Sequence, residues 1–344
     1  MPLKLLKFPY LVLSDIIKNL SYSEALMLSL SNSRLCKFIS TMRHGKIKKI
    51  RYTFEDNHIY VDIVEMDDTD QVLVNIESVP WSTDIKKTDA CKMETFFGVN
   101  TLIEYREDDF HIAYPESSEE EFQNALIRQV HTLLGESVPV DIYVENEERL
   151  KSLPCIKHVK GSRLSGTRTE GTFLDAFFEK YPNQKSAIIE SSWTGKLKEN
   201  SKLFQVPSLC LLEADTSTLE ILQSFDGKHL ELRGGICDTT AIAQFLEMWV
   251  SGEAYHNLQT LRVILSQTTV IFENWTHIPE KFGAAKWNPN KRPWRYSFDH
   301  GTIDFLDTTE IFDCDRFLDI ERPHDGKLAS FYFSLVSFHF FVWN

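Results

Sequence analysis

Cys155-Ile156-Lys157-His158 sets a thiol and an imidazole three residues apart, the pairing from which a zinc or thiolate site is built. Such a site needs further ligands close by, and none stands at a suitable spacing. Asp304 and Asp313-Cys314-Asp315 offer carboxylates to a cation, although a solvated acidic turn is the simpler account. His256, His277 and His300 lie in polar or aromatic stretches without a sequence partner. The chain has no G-x-G-x-x-G, no Walker loop, no H-E-x-x-H, no G-x-S-x-G and no H-x-E with P-C-x-x-C. These residues predict no catalytic group, no metal and no cofactor. What remains is recognition chemistry. Tryptophans serve more often as core, but Trp275, Trp287, Trp294 and Tyr296 crowd a Pro- and Lys-rich stretch, and exposed aromatics among cations make a protein-binding surface.

The elements that would present contact residues are clearest at the start. Pro9 suits a first helical position, where its missing N–H costs nothing. Leu13, Ile16, Ile17 and Leu20 then fall at i, i+3, i+4, i+7, one apolar stripe on one helix. Ser21 and Glu24 have capping-box spacing, and a second helix follows with Leu28, Leu35, Phe38, Ile39 and Met42 on one side. Leu26 and Leu30 lie off that stripe. Two short helices hide little more than one apolar face each, so this segment predicts a partner.

The spacing of this segment resembles the F-box. The pattern falls on Phe8-Pro9, Val12-Leu13, Ile16-Ile17, Leu20, Ser21 to Glu24 and Ala25 to Ser29, with departures at Phe8, Leu11, Ser21, Tyr22 and Ala25. The resemblance implies a helical F-box over residues 4–45 that docks a Skp-type adaptor protein through Phe8, Pro9, Val12, Leu13, Ile16, Ile17, Leu20, Leu26, Leu28 and Leu30. The same spacing also fits a helical hairpin packed on the chain's own body.

Composition sets limits. A hydrophobic content of 42 %, with 24 Phe, 7 Trp and 11 Tyr, predicts a folded chain. Residues 1–51 hold ten Lys/Arg against two acids, while the remainder holds 27 against 48. An acidic body predicts no nucleic-acid partner, because phosphate binding needs a positive field. The basic run Arg43 to Arg51 has the composition of a nuclear signal, but Ile47 and Ile50 within it predict a solvated connector entering a strand. Cys36, Cys91, Cys155, Cys210, Cys237 and Cys314 are scattered, as buried thiols of a reducing compartment are. No stretch approaches the ~20 apolar residues of a membrane span, so the expectation is an intracellular protein, cytoplasmic or nuclear, with no membrane partner. The sequons at Asn19 and Asn274 then read as chance.

After the helices the texture becomes mixed. Ile50, Tyr52, Phe54 and Ile59, Val61, Ile63 alternate across a polar turn, predicting a hairpin, with Val72, Val74 and Ile76 as a third strand. Residues 82–120 read as loops with short strands. A helix from Ser117 or Ser118, carrying Phe122, Leu126, Val130 and Leu133, stops at Gly135, and Val138 to Val144 reads as a strand. Between 200 and 265 the spacing predicts strand 209–212, helix 216–225, strand 229–232, helix 239–250 and strand 257–265. Short Leu-x-Leu strands joined through helices make an irregular leucine-rich array. The fold class is therefore α+β: N-terminal helices, then an α/β, leucine-rich-repeat-like region. With no Pro/Gly/Ser-rich linker, residues 50–344 predict one continuous unit.

This stretch is similar to a second family, the type 2 F-box-associated domain of the nematode F-box group. The matching segments are Leu219 to Phe225, Leu230 to Leu232, Asp238 to Thr240, Phe245 to Trp249, Leu258 to Leu265 and the terminal Asp325-Gly326 hairpin. Asp-Gly is independently a type I′ turn signal. The resemblance divides the chain at 4–45, 46–199 and 200–344. Together the two resemblances imply a non-catalytic substrate adaptor of a Skp-cullin-F-box ubiquitin ligase, with an unknown protein as substrate. A non-degradative scaffold and an unrecognised hydrolase are the other readings.

Overall fold

A computed structural model describes residues 5–43, 47–80, 91–105, 110–166, 168–266, 272, 275–299 and 309–343. Asn274, His300 and Asp304 lie outside the described residues, as do residues 82–90 and 106–109 of the expected loop region. The sequence predicts one unit over 50–344; the contacts instead divide the chain into Met1–Val159 and Lys160–Asn344. The expected division between 199 and 200 falls inside the second unit.

The first unit opens with α1 (Tyr10–Lys18), α2 (Tyr22–Ser31) and α3 (Ser33–Arg43). The expected second helix is thus two. Asn32 is extended (φ −162°, ψ 124°), and its side-chain oxygen accepts from the Arg34 N–H at 2.8 Å, restarting the helix. Then come β1 (Ile47–Phe54), β2 (His58–Glu65), β3 (Asp70–Val79), β4 (Cys91–Phe96), β5 (Val99–Tyr105), β6 (Phe110–Pro115), α4 (Glu119–Leu134), β7 (Val140–Val144) and α5 (Glu147–Ser152). The strands are ordered β7-β1-β2-β3-β6-β5-β4.

Alternation builds this sheet. Tyr52 faces Val61 and Ile50 faces Ile63 across the β1–β2 hairpin, and Val61 faces Val74 on β3. All are buried, as is the α4 stripe of Phe122, Leu126, Val130 and Leu133. Phe122 stacks on Tyr114 of β6 at 4.6 Å. Gly135, at φ 113°, ends α4 where the spacing predicts.

The opposite face is polar, and there the basic run departs from expectation. Lys49 and Arg51 are buried, not solvated. β1 is flanked by β2 and β7, and its charges are met by an acid on the adjacent β7 and one on β3, beyond β2. The Lys49 ammonium lies 2.7 Å from Asp141, and the Arg51 guanidinium lies 2.8 Å from Asp70 and over the Tyr143 ring.

The second unit contains β8 (Val159–Leu164), β9 (Thr169–Glu170), α6 (Gly171–Lys180), β10 (Ser186–Ile189), β11 (Trp193–Thr194), β12 (Ser208–Leu211), α7 (Thr218–Ser224), β13 (His229–Gly235), α8 (Thr239–Ser251) and β14 (Thr260–Leu265). After these come α9 (His277–Lys281), β15 (Ala285–Lys286), β16 (Arg295–Asp299), β17 (Thr309–Asp313), β18 (Leu318–Glu321), β19 (Leu328–Phe333) and β20 (Ser337–Val342). Strands β8, β10, β12, β13 and β14 lie side by side in chain order and pair in parallel. Two apolar rows cross them: Ala187, Leu209, Leu230, Leu261 and Ile189, Leu211, Leu232, Val263. α8 lays Ile242, Phe245, Leu246 and Trp249 into the core; Asp238 caps its first turn through the Ala241 N–H at 2.8 Å, and left-handed Gly252 ends it.

The sheet is completed by antiparallel β20, β19, β18 and β15 on the β14 side. The hairpin expected at Asp325-Gly326 is β18–β19, but its turn is longer than type I′. The Arg322 N–H donates to the Lys327 carbonyl at 2.8 Å, and only Gly326 of the central pair has positive φ. Among the described residues no helix is long and apolar enough to cross a membrane.

Candidate partner-binding surface

α1 has two apolar sides. Pro9 precedes it as the N-cap residue. Leu13 and Ile17 turn inward and are buried, Ile17 completely, with Ile16 and Leu20 half-buried beside them. The outward side carries Val12, Tyr10 at 63 % exposure and Leu11 at 78 %, and Phe8, just before the helix, is exposed beside them. α1 packs on α3, where Tyr10 meets the Phe38 ring edge-on at 5.5 Å.

Beneath it α2 and α3 are fixed to the sheet and to α4. The capping box forms: the Ser21 oxygen accepts from the Glu24 N–H at 3.1 Å, and the Glu24 carboxylate accepts from the Ser21 N–H at 2.7 Å. The Ser23 hydroxyl meets the Val72 and Leu73 carbonyls of β3 at 2.8 and 2.7 Å. From α4, the Gln129 amide donates to the Ser29 oxygen at 3.0 Å and to Cys36 sulfur at 3.3 Å. Leu26 is fully buried by this docking, while Leu28 and Leu30 are half-buried.

The ten expected contact residues therefore divide. Leu13, Ile17 and Leu26 are core of the first unit; Ile16, Leu20, Leu28 and Leu30 sit at its margin; Phe8, Pro9 and Val12 face outward. Tyr10 and Leu11 join the outward group without having been singled out from sequence. Their signal was available, because a short helix apolar on both sides has more apolar surface than one docking face uses.

The aromatic stretch divides in the same way. Tyr296 is core: it stacks on Phe341 at 4.7 Å, its hydroxyl donates to the Val342 carbonyl at 3.2 Å, and burial pushes its ionisation up to about 12. Trp275 is half-buried and stacked on Phe333, and Trp287 is half-buried with its indole N–H on the Arg292 carbonyl at 3.2 Å. Trp294 alone of the four is exposed, with the Arg295 guanidinium 4.0 Å from its ring centre. Arg292 anchors the loop from below. It is buried against Asp319 at 2.7 Å, donates to the Cys314 carbonyl at 2.9 Å and lies over the Trp343 ring.

The thiols offer no nucleophile in the buried positions. Burial pushes Cys210, Cys237 and Cys314 up to about 12, and raises Cys36. Cys155 is exposed and lines a shallow polar groove with Glu120, Glu121, Arg128 and Lys157. Asp313 pairs with Arg295 at 3.2 Å, and the neighbouring Cys314 is buried. One constellation escaped the sequence reading: His58, Glu77 and His111, far apart in the chain, meet on the polar face of the first sheet. Strand alternation puts each on that face, but their proximity depends on a pairing of β3 with β6 that no spacing announces.

No protein-family model matches the chain, and neither a curated protein nor a solved structure matches it.

Proposed function

We propose that the chain is a non-catalytic protein-binding adaptor of the F-box kind, which docks a Skp-type protein through its N-terminal helices and holds a target protein on its second unit. The observation that carries the reading is the outward group Phe8, Tyr10, Leu11 and Val12, three large exposed apolar side chains in the first turn of α1 and one just before it, on an element whose Leu13 and Ile17 are already buried. Apolar groups gathered at the exposed start of a helix docked by its inner side suit the anchor residues of a protein interface. α2 and α3, pinned to β3 and α4, hold that strip on a rigid base. Parallel strands in chain order suit a leucine-rich-like recognition region, with Trp294 and Arg295 as its exposed contact pair. Such an adaptor acts by proximity: bound to a cullin through the Skp-type protein, it raises the local concentration of target lysines near a ubiquitin-carrying enzyme.

Calorimetry of the full chain with a Skp-type protein tests this. Leu11→Asp and Val12→Asp should each weaken binding about thirtyfold or more, the effect of losing a hot spot of ~2 kcal/mol. Both should leave the thermal melt near that of the wild type, because surface changes move stability by about 0.5 kcal/mol or less. Ile17→Ala is the contrasting control, with an expected stability loss of about 2–5 kcal/mol. Wild-type chain that fails to bind at micromolar concentration, or Asp variants that bind as well as wild type, would overturn the reading.

A further inference from the structure

We propose that His58, Glu77 and His111 form a binding site for one divalent transition-metal ion of the Zn2+ class on the polar face of the first sheet. This site is separate from the adaptor reading and requires neither the outward strip of α1 nor the second unit.

The register creates it. His58 on β2 stands directly across from Glu77 on β3. His111 on β6 pairs with Asn75, two residues before Glu77 and therefore on the same face. Three neighbouring strands thus send two imidazoles and one carboxylate to one point. The His58 Nε2 lies 3.7 Å from Glu77 Oε1, and the His111 Nε2 lies 3.3 Å from Glu77 Oε2. All three ligand atoms fall within 4.8 Å of one another. Around a tetrahedral ion with bonds of about 2.0–2.1 Å, ligand atoms stand roughly 3.3 Å apart. Small side-chain rotations close the difference.

The surroundings favour a cation over a chance meeting. Glu104 on β5 stands across from His111, with a carboxylate oxygen 3.9 Å from Nδ1, the ring nitrogen turned away from the proposed ion. At that distance the carboxylate acts as a nearby negative charge that favours a cation at the site, without a hydrogen bond to the ring. The His58 ring stacks on Tyr60 with an interplanar angle of 13°. Behind these residues Ile59, Ile76 and Ile112 are buried on the opposite face, so the backbone under the site is fixed. A set of two imidazoles and one carboxylate selects Zn2+, Cu2+ or Ni2+ over Mg2+ or Ca2+, which prefer all-oxygen shells. With three protein ligands the fourth position is left to water or to a ligand atom from outside.

The test uses the full chain stripped with chelator and titrated with Zn2+ by calorimetry, and with Co2+ followed by its visible d–d bands. One ion per chain should bind at micromolar affinity or tighter. His58→Gln, Glu77→Gln and His111→Gln should each weaken it tenfold or more, and Glu104→Gln should weaken it by less. Cys155→Ser should bind as wild type does, which excludes the exposed thiol as the site. If His111→Gln disturbs folding by circular dichroism, His58→Gln decides, since its side chain is 37 % exposed. Absence of stoichiometric binding at about 100 μM, equal binding by the His58→Gln chain, or preference for Ca2+ would overturn the proposal.

Discussion

Replacing Arg292 by methionine probes how the aromatic loop of the second unit is held. Arg292 and Asp319 are 4 % and 5 % exposed, and the guanidinium Nη2 lies 2.7 Å from Oδ1. At that separation, with an effective dielectric of about 20, their attraction is roughly 6 kcal/mol. Desolvating the two ions costs several kcal/mol each, so the intact pair contributes little net stability. Removing only the cation is different. Asp319 keeps the Ser330 hydroxyl at 2.6 Å, but the Cys314 and Pro293 carbonyls lose the Arg292 donor. The expected loss is about 3–5 kcal/mol. With a urea slope of about 2 kcal/mol per molar, the midpoint of the second unit should fall by roughly 2 M. Asp319→Asn added to Arg292→Met removes the stranded charge while still accepting from Ser330, so the double variant should recover much of that loss. Urea unfolding followed by tryptophan fluorescence measures both. An Arg292→Met chain within about 1 kcal/mol of wild type, or a double variant whose cost equals the sum of the singles, would refute the reasoning.

Gly227→Ala should lower the melting temperature of the second unit, because a Cβ there would lie 2.3 Å from the Val206 carbonyl oxygen; a loss of about 1–3 kcal/mol is expected. Ser21→Ala removes the acceptor of the capping box and should cost the first unit about 1 kcal/mol in urea melts. His339 is held down to about 4 by burial, with the Arg262 guanidinium adding to the effect, against about 6.5 in the unfolded chain. The unfolded state binds that proton first, so this stability is present above pH ~6.5 and is lost as pH falls toward 4, by at most about 3 kcal/mol. His339→Gln should flatten that part of the acid limb in a stability–pH series.

What was legible in the sequence is what local periodicity determines. The hairpin of Ile50 to Ile63 obeys a period of two, and α4 and α8 obey 3.6, α4 with its stop at Gly135. The capping box at Ser21 needed only three residues of context. What was not legible depends on distant partners. Lys49 looks solvated until Asp141, 92 residues later, is brought beside it. Tyr296 reads as surface until Phe341 takes its ring face. The break at Asn32 was hidden because apolar residues continue on both sides of it. The outward strip of α1 was half legible: Val12 fits the resemblance, whereas Leu11 stands where that pattern has an acid.

The arrangement of β14 and β20 has a consequence for synthesis. β14 takes β13 as one neighbour almost as soon as it emerges, but its other edge is met by β20, about seventy residues further along. At ribosomal rates of 5–20 residues per second, that edge waits roughly four to fourteen seconds. During this interval the nascent chain presents Thr260 to Leu265 as an open row of backbone donors and acceptors, the template on which other chains stack. Stalled translation before Ser337 should therefore yield aggregates seeded at this edge, and a chaperone acting on the nascent chain would have most to protect there.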